Sequence, residues 1–155
     1  MIITLPTSYF LVAGYAEGPT ALNAFDNALM KAGVGNTNLV RMSSILPPAA
    51  KEIPLIQLPF GALVPIAYAE ETGEEHGTMV SAAVALGIPD DGTLPGVIME
   101  HHMRGEESAC REIVIEKVNA AFASRGYRMA EVKLKSAAGI VKGIGTAFAG
   151  VVLWT

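Results

Sequence analysis

Only two stretches of this chain carry a helical stripe, and the strand-like stretches around them mostly follow one another with no helix between. From Ala21 to Ala32 apolar residues recur at Leu22, Phe25, Ala28, Leu29 and Ala32, with Thr20 placed to cap the start and Gly33 to end it. The second stripe is Cys110, Ile113, Val114, Val118, Ala121 and Phe122; Glu106 and Glu107 open it and Gly126 closes it. Strands are predicted over Ser8–Gly14, from Asn38 up to Pro47-Pro48, and over Gly61–Glu70, Thr78–Leu86, Gly96–His102, Met129–Ile140 and Thr146–Trp154. Consecutive strands pair antiparallel through short turns, whereas parallel pairs need a crossover. The order therefore implies an α+β fold with largely antiparallel or mixed sheets and two helices covering sheet faces.

With 155 residues, no internal repeat and no linker-like tract, the chain reads as a single domain, 1–155. It is 51% hydrophobic and only 17% charged, and much of the apolar content is small. That balance predicts a sheet buried on both faces together with burial against copies of the same chain. A formal charge of −4 with scattered basic residues argues against a nucleic-acid partner. Cys110 is the lone cysteine, so no internal disulfide is possible and a cytoplasmic setting is expected. Met1 to Pro6 has no basic start, and Pro65 interrupts the apolar run from Phe60 to Ala69, so neither a leader nor a membrane span is expected.

Several residues stand out as candidate chemistry. Ser43 and Ser44 are adjacent inside the stretch that begins at Asn38. In one extended strand Asn38 and Ser44 share a face and Ser43 points the other way. A hydroxyl that reaches the preceding carbonyl, with an amide to steady the oxyanion, is a peptide-cleaving pair; two small polar sheet residues are the plainer reading. Glu100 follows the apolar run Val97-Ile98-Met99, where burial would raise its pKa and suit it to general-acid work; a strand end reaching water is the alternative. Asp26 borders the first helical stripe and is either a receptor for a cation such as a guanidinium or a solvated helix acid. His101 and His102 face opposite sides of a strand; Glu100, His102 and His76 form a weak metal alternative to surface histidines. Cys110 falls in a helix stripe and reads as core, and no phosphate-loop pattern is present.

The blocks Leu11-Val12-Ala13-Gly14, Pro19 to Asp26, Gly35 to Pro48, Gly61 to Pro65 and Gly96 to Glu100, with Ala147-Phe148-Ala149 and Leu153-Trp154, run in one order across nearly the whole chain. Together they resemble the pyruvoyl-dependent arginine decarboxylases, and the most specific part is Asn38-x-x-x-x-Ser43-Ser44-Ile45-x-Pro47-Pro48. The resemblance implies a layered sandwich of sheets covered by helices. It implies a proenzyme that cuts itself between Ser43 and Ser44 into a short chain, 1–43, and a long chain, 44–155, with Asn38 assisting. Ser44 would become a covalent pyruvoyl group, the cofactor on which a Schiff base with the substrate forms, and Ser43 would be left as the new chain end beside it. Glu100 matches the family's proton donor and Asp26 the carboxylate that receives the substrate guanidinium, so L-arginine would yield agmatine and CO₂. Trimers, or paired trimers, with sites between subunits are also implied. His101-His102-Met103 departs from the family's pattern at the rim of the site, which leaves open a pyruvoyl decarboxylase of another amino acid. An uncleaved, non-catalytic oligomer that binds a small cation is the alternative of another class.

Overall fold

The computed structural model describes residues 4–155; Met1 to Ile3, read above for a leader, lie outside the described residues. In chain order the elements are β1 (Ser8–Glu17), α1 (Ala21–Ala32), β2 (Asn38–Arg41), β3 (Ile45–Leu46), β4 (Lys51–Glu52), β5 (Leu63–Gly73), β6 (Met79–Pro89), β7 (Gly96–Arg104), α2 (Glu107–Arg125), β8 (Met129–Ile140) and β9 (Gly145–Trp154). They build two sheets, ordered β2-β5-β9-β1-β4 and β3-β7-β6-β8. The β1–β4 and β2–β5 pairs are parallel and the other pairs antiparallel.

Three apolar clusters define four layers. One lies between the sheets, built on Val84, Leu86, Ile98, Ala149 and Val151. A second packs α1 on the first sheet through Ala28, Leu29, Phe10 and Phe148, and a third packs α2 on the second sheet through Val114, Val118, Phe122 and Val97. The α+β sandwich with helices on its outer faces is therefore as expected. So is burial of both sheet faces: β6 and β9 each lie between two other strands, and nearly every residue of each is buried. That is why they read as runs rich in Ala and Val instead of alternating. Small residues let the layers close: a Cβ added at Gly87 would sit 2.5 Å from a ring carbon of Phe122 on α2.

Helix α1 has its predicted ends. Thr20 Oγ1 accepts the Asn23 N–H at 3.1 Å, and Gly33 takes a left-handed φ of +89° that favours glycine. Its buried stripe is shifted by comparison with the prediction: Ala24, Ala28, Leu29 and Ala32 face the sheet, while Leu22 is 75% exposed. The predicted strand from Asn38 to the prolines is also corrected. It is two short strands, β2 and β3, and they belong to different sheets. No described helix is long and apolar enough to cross a membrane.

Candidate active site

Arg41 ends β2 in one sheet and Ile45 begins β3 in the other, so Met42, Ser43 and Ser44 are the whole bridge between them. Each end of the bridge is pinned by a strand neighbour. The Met42 N–H donates to Ile66 O on β5 at 3.0 Å, and the Ile98 N–H on β7 donates to Ser44 O at 2.8 Å. Ser44 absorbs the change of direction with a φ of +138°. A non-glycine residue held in such a region stores on the order of 1–3 kcal/mol. The Ser43–Ser44 peptide thus enters the one strained residue of the bridge, with Ser43 exposed and Ser44 half-buried.

The alternation that would place Asn38 on the Ser44 face does not run through this bridge, because no single strand spans it. Asn38 is instead fixed at the start of β2: its backbone N–H donates to Ala62 O at 2.8 Å and its Nδ2 to Gly61 O at 2.9 Å. An amide nitrogen carries two hydrogens, so one donor remains beyond the Gly61 bond.

Glu100 lies on β7 opposite Val84, on the same face as Ile98 and therefore toward the gap between the sheets. The residue is half-buried, and its Oε2 is fully buried without a hydrogen-bond partner among the described residues. Burial pushes the carboxyl above the ordinary glutamate value, and the charges of Arg41 and Lys117 pull back part of that rise. Lys117 reaches over from α2: its Nζ donates to Glu100 O at 3.1 Å and lies 3.0 Å from His101 Nδ1. Burial and the Lys117 charge both depress the His101 pKa.

Arg41, at the end of β2, rests on Tyr68 of β5. Its Nη2 donates to Tyr68 O at 2.7 Å and its guanidinium carbon sits 4.4 Å from the Tyr68 ring centroid, a cation–π geometry. Nearby Glu70 is a second half-buried carboxyl whose pKa is raised by burial, against the opposing charges of Arg41 and His102. His102 Nδ1 is 3.3 Å from Glu71 Oε2 across the β5–β7 gap.

The structure brings Ser43, Ser44 and Glu100 into one region through the β3–β7 pairing. Asp26 stands apart within a single chain: it is exposed on α1, on the far side from the buried stripe, and forms no ion pair among the described residues. Its neighbour Phe25 does connect α1 to the site, with its ring 6.3 Å from that of Tyr68, on which Arg41 rests. The metal grouping is not assembled. His76 Nδ1 lies 3.0 Å from Lys142 O, and no three His, Cys, Asp or Glu converge among the described residues. Cys110 is buried in the α2 stripe and its thiol is pushed up to about 11 by burial, which suits core rather than nucleophile.

Arg41, Tyr68 and Lys117 escape a reading of the sequence. Arg41 and Tyr68 have a visible signal, a basic residue and an aromatic one inside strands that flank the serines, but only the parallel β2–β5 register joins them. Lys117 has none, since α2 meets β7 only in the folded sandwich.

The profile of a family described as pyruvoyl-dependent arginine decarboxylase matches residues 8–155. The chain is 43% identical over 150 residues to a protein of Methanocaldococcus jannaschii, covering 97% of this chain and 91% of the relative. It is 42% identical over 149 residues to one of Methanococcus vannielii, covering 96% and 91%. It is 38% identical over 140 residues to one of Pyrococcus furiosus, covering 88% and 87%. All three relatives carry the name pyruvoyl-dependent arginine decarboxylase.

Proposed function

The chain belongs to the pyruvoyl-dependent arginine decarboxylase family, and from that premise we propose how its residues carry out the reaction. It is a carboxy-lyase that converts L-arginine to agmatine and CO₂ with a covalent pyruvoyl group. The observation that carries the assignment of residues is the strained Ser44 bridge, which leads into the strand paired with β7, where the Glu100 Oε2 is buried without a partner among the described residues.

Processing starts from the chain's own atoms. Ser44 Oγ attacks the Ser43 carbonyl carbon, the peptide C–N bond breaks, and an ester links the two serines while the Ser44 amine is freed. The positive φ of Ser44 favours the cut, because opening the bond frees Ser44 from the backbone constraint that ties the two sheets together. Asn38, held by Gly61 O, has a second N–H to steady the oxyanion. Elimination then releases Ser43 as a carboxylate, and water replaces the amine as ammonia, leaving chains 1–43 and 44–155.

The Ser44 position suits the group that results. Its carbonyl oxygen already accepts the Ile98 N–H at 2.8 Å, a bond that cleavage on the other side of the residue leaves in place. The pyruvoyl group supplies an electrophilic carbonyl for the substrate amine and a conjugated sink for the electrons released with CO₂. The protein's part is to hold substrate and return a proton. Glu100 does the second: burial keeps its carboxyl protonated to higher pH than an ordinary glutamate, and it delivers that proton to the carbon that CO₂ has left. The same burial gives the rate its pH dependence. The protonated form is the active one, so turnover falls as pH rises through the raised value.

Asp26 receives the substrate guanidinium at a site completed by a neighbouring copy, in the trimer or pair of trimers that the resemblance implies. Its exposure in the single chain supports this, as do the bare apolar side chains beside the bridge, Val40, Ile45 and Leu63, the last 70% exposed. A reducing cytoplasm suits the unpaired Cys110. Given L-arginine, the processed enzyme releases labelled CO₂ and agmatine faster than from L-ornithine or L-lysine. Asp26→Ala raises KM for arginine by about 100-fold, the scale of a lost charged contact, with a much smaller fall in kcat. An unchanged KM, or a preferred substrate without a guanidinium, contradicts the assignment.

A further inference from the structure

Strand β7 loses its neighbour just where Glu100 sits. Its partner β3 is only Ile45–Leu46, set against Val97 and Gly96, and the last bond of the pair runs from the Ile98 N–H to Ser44 O at 2.8 Å. Upstream of Ser44 the chain crosses to the other sheet, where the Met42 N–H donates to Ile66 O. Backbone groups two residues apart on a strand point to the same edge, so the Glu100 carbonyl points to the edge that β3 has left. A strand stretch with few backbone partners opens more readily than a paired one. Lys117 occupies the vacated place. Val114 and Val118, fully buried against the second sheet, fix its turn of α2, and its Nζ donates to Glu100 O at 3.1 Å. The same Nζ lies 3.0 Å from His101 Nδ1. An ammonium has only donors, so that nitrogen is the acceptor of a neutral imidazole. Among the described residues Lys117 forms no ion pair, and its ammonium is committed to β7.

We propose that Lys117 is a positioning residue for the decarboxylation: steadied by His101, its ammonium stands in for the strand neighbour that β7 lacks and fixes the backbone from which the Glu100 carboxyl is aimed. This rests on Glu100 being the proton donor. The carboxyl itself has little to hold it, since Oε2 has no hydrogen-bond partner among the described residues, and its aim therefore depends on where the backbone sits. A catalytic group misplaced by about 1 Å can cost about 100-fold in rate. Burial and the Lys117 charge both depress the His101 pKa, which favours the neutral acceptor that the strut needs.

Two readouts separate the aim of the donor from mere stability. The first needs no turnover. In uncut Ser44→Ala protein, at a pH that keeps Glu100 protonated, the infrared band of its carboxyl is isolated by subtracting the spectrum of the Ser44→Ala, Glu100→Gln double variant. Lys117→Met broadens that band as one aim gives way to several, and Lys117→Arg, which keeps a donor on a long stem, leaves it near the parent width. The second readout is the fate of the proton in the processed enzyme. Lys117→Met lowers kcat about 10- to 100-fold with KM for arginine little changed. A misaimed proton also reaches the wrong carbon. Delivered to the cofactor carbon instead of the substrate carbon, it leaves the substrate amine on the long chain as an N-terminal alanine and, with water, releases the aldehyde counterpart of agmatine beside CO₂. Lys117→Met raises the aldehyde formed per agmatine, and Lys117→Arg restores the parent ratio. A band of parent width in Lys117→Met, whether or not that variant processes, overturns the inference while Glu100 remains the donor. So does an unchanged kcat with an unchanged product ratio. If Glu100→Gln itself decarboxylates arginine at the parent rate, the donor assignment fails instead.

Discussion

Ser44→Ala leaves the chain whole and without decarboxylase activity. The methyl group offers no oxygen to attack the Ser43 carbonyl and nothing to eliminate, so neither the cut nor the pyruvoyl group can form. The fold survives, because the contact that seats this residue is made by its backbone: Ile98 N–H donates to the carbonyl oxygen at position 44 whatever the side chain. Alanine at φ +138° is about as strained as serine. The expected result is a single species of 16.2 kDa under denaturing conditions, with CO₂ release from arginine at background. Circular dichroism and unfolding close to those of the parent distinguish this outcome from misfolding. A Ser44→Ala chain that still separates between positions 43 and 44 removes Ser44 as the nucleophile.

Glu100→Gln behaves differently: it processes normally and then turns over slowly. The amide fills the same space between the sheets but has no proton of useful acidity, and kcat falls by about 100- to 10,000-fold, the usual range for loss of general acid catalysis. Arginine binding depends on other groups, so KM changes little. The measurement is steady-state agmatine formation by protein whose cleavage has been confirmed by mass. In the parent, kcat declines as pH rises through the raised Glu100 pKa, because the carboxylate form has no proton to give. That alkaline limb is absent from the residual activity of Glu100→Gln. Loss of processing in this variant would move Glu100 from the decarboxylation to the cut.

The parts of this molecule that local chemistry dictates were legible in its sequence. Thr20 and Gly33 bound α1 because a cap needs a short polar side chain and a stop needs positive φ. The α2 stripe and Met129–Ile140 were legible for the same reason. Glu100 was legible through the apolar residues that lead into it, and its partial burial with a raised pKa follows. The bridge was not. Strand propensity in Leu39, Val40 and Ile45 is equally satisfied by one strand or by two in different sheets, and only the stacking of the layers decides between them. Leu22 shows a similar limit, since helical spacing admits it to the stripe but the sheet takes Ala24 instead. Lys117 reaches the Glu100 backbone from α2, and Arg41 rests on Tyr68 of a neighbouring strand, so long-range register alone assembles these contacts. The resemblance to a family pointed to Ser43 and Ser44, and the structure adds that Ser44 holds a positive φ in the bridge between the sheets.

The central claim is that this chain makes its own cofactor by cutting at the bridge, and intact mass of the freshly purified protein under denaturing conditions tests it most directly. Two chains are predicted, 1–43 ending in a Ser43 carboxylate and 44–155 lighter by one ammonia than its serine-started form. A single uncut chain of 16.2 kDa, in protein given time to process, would contradict it.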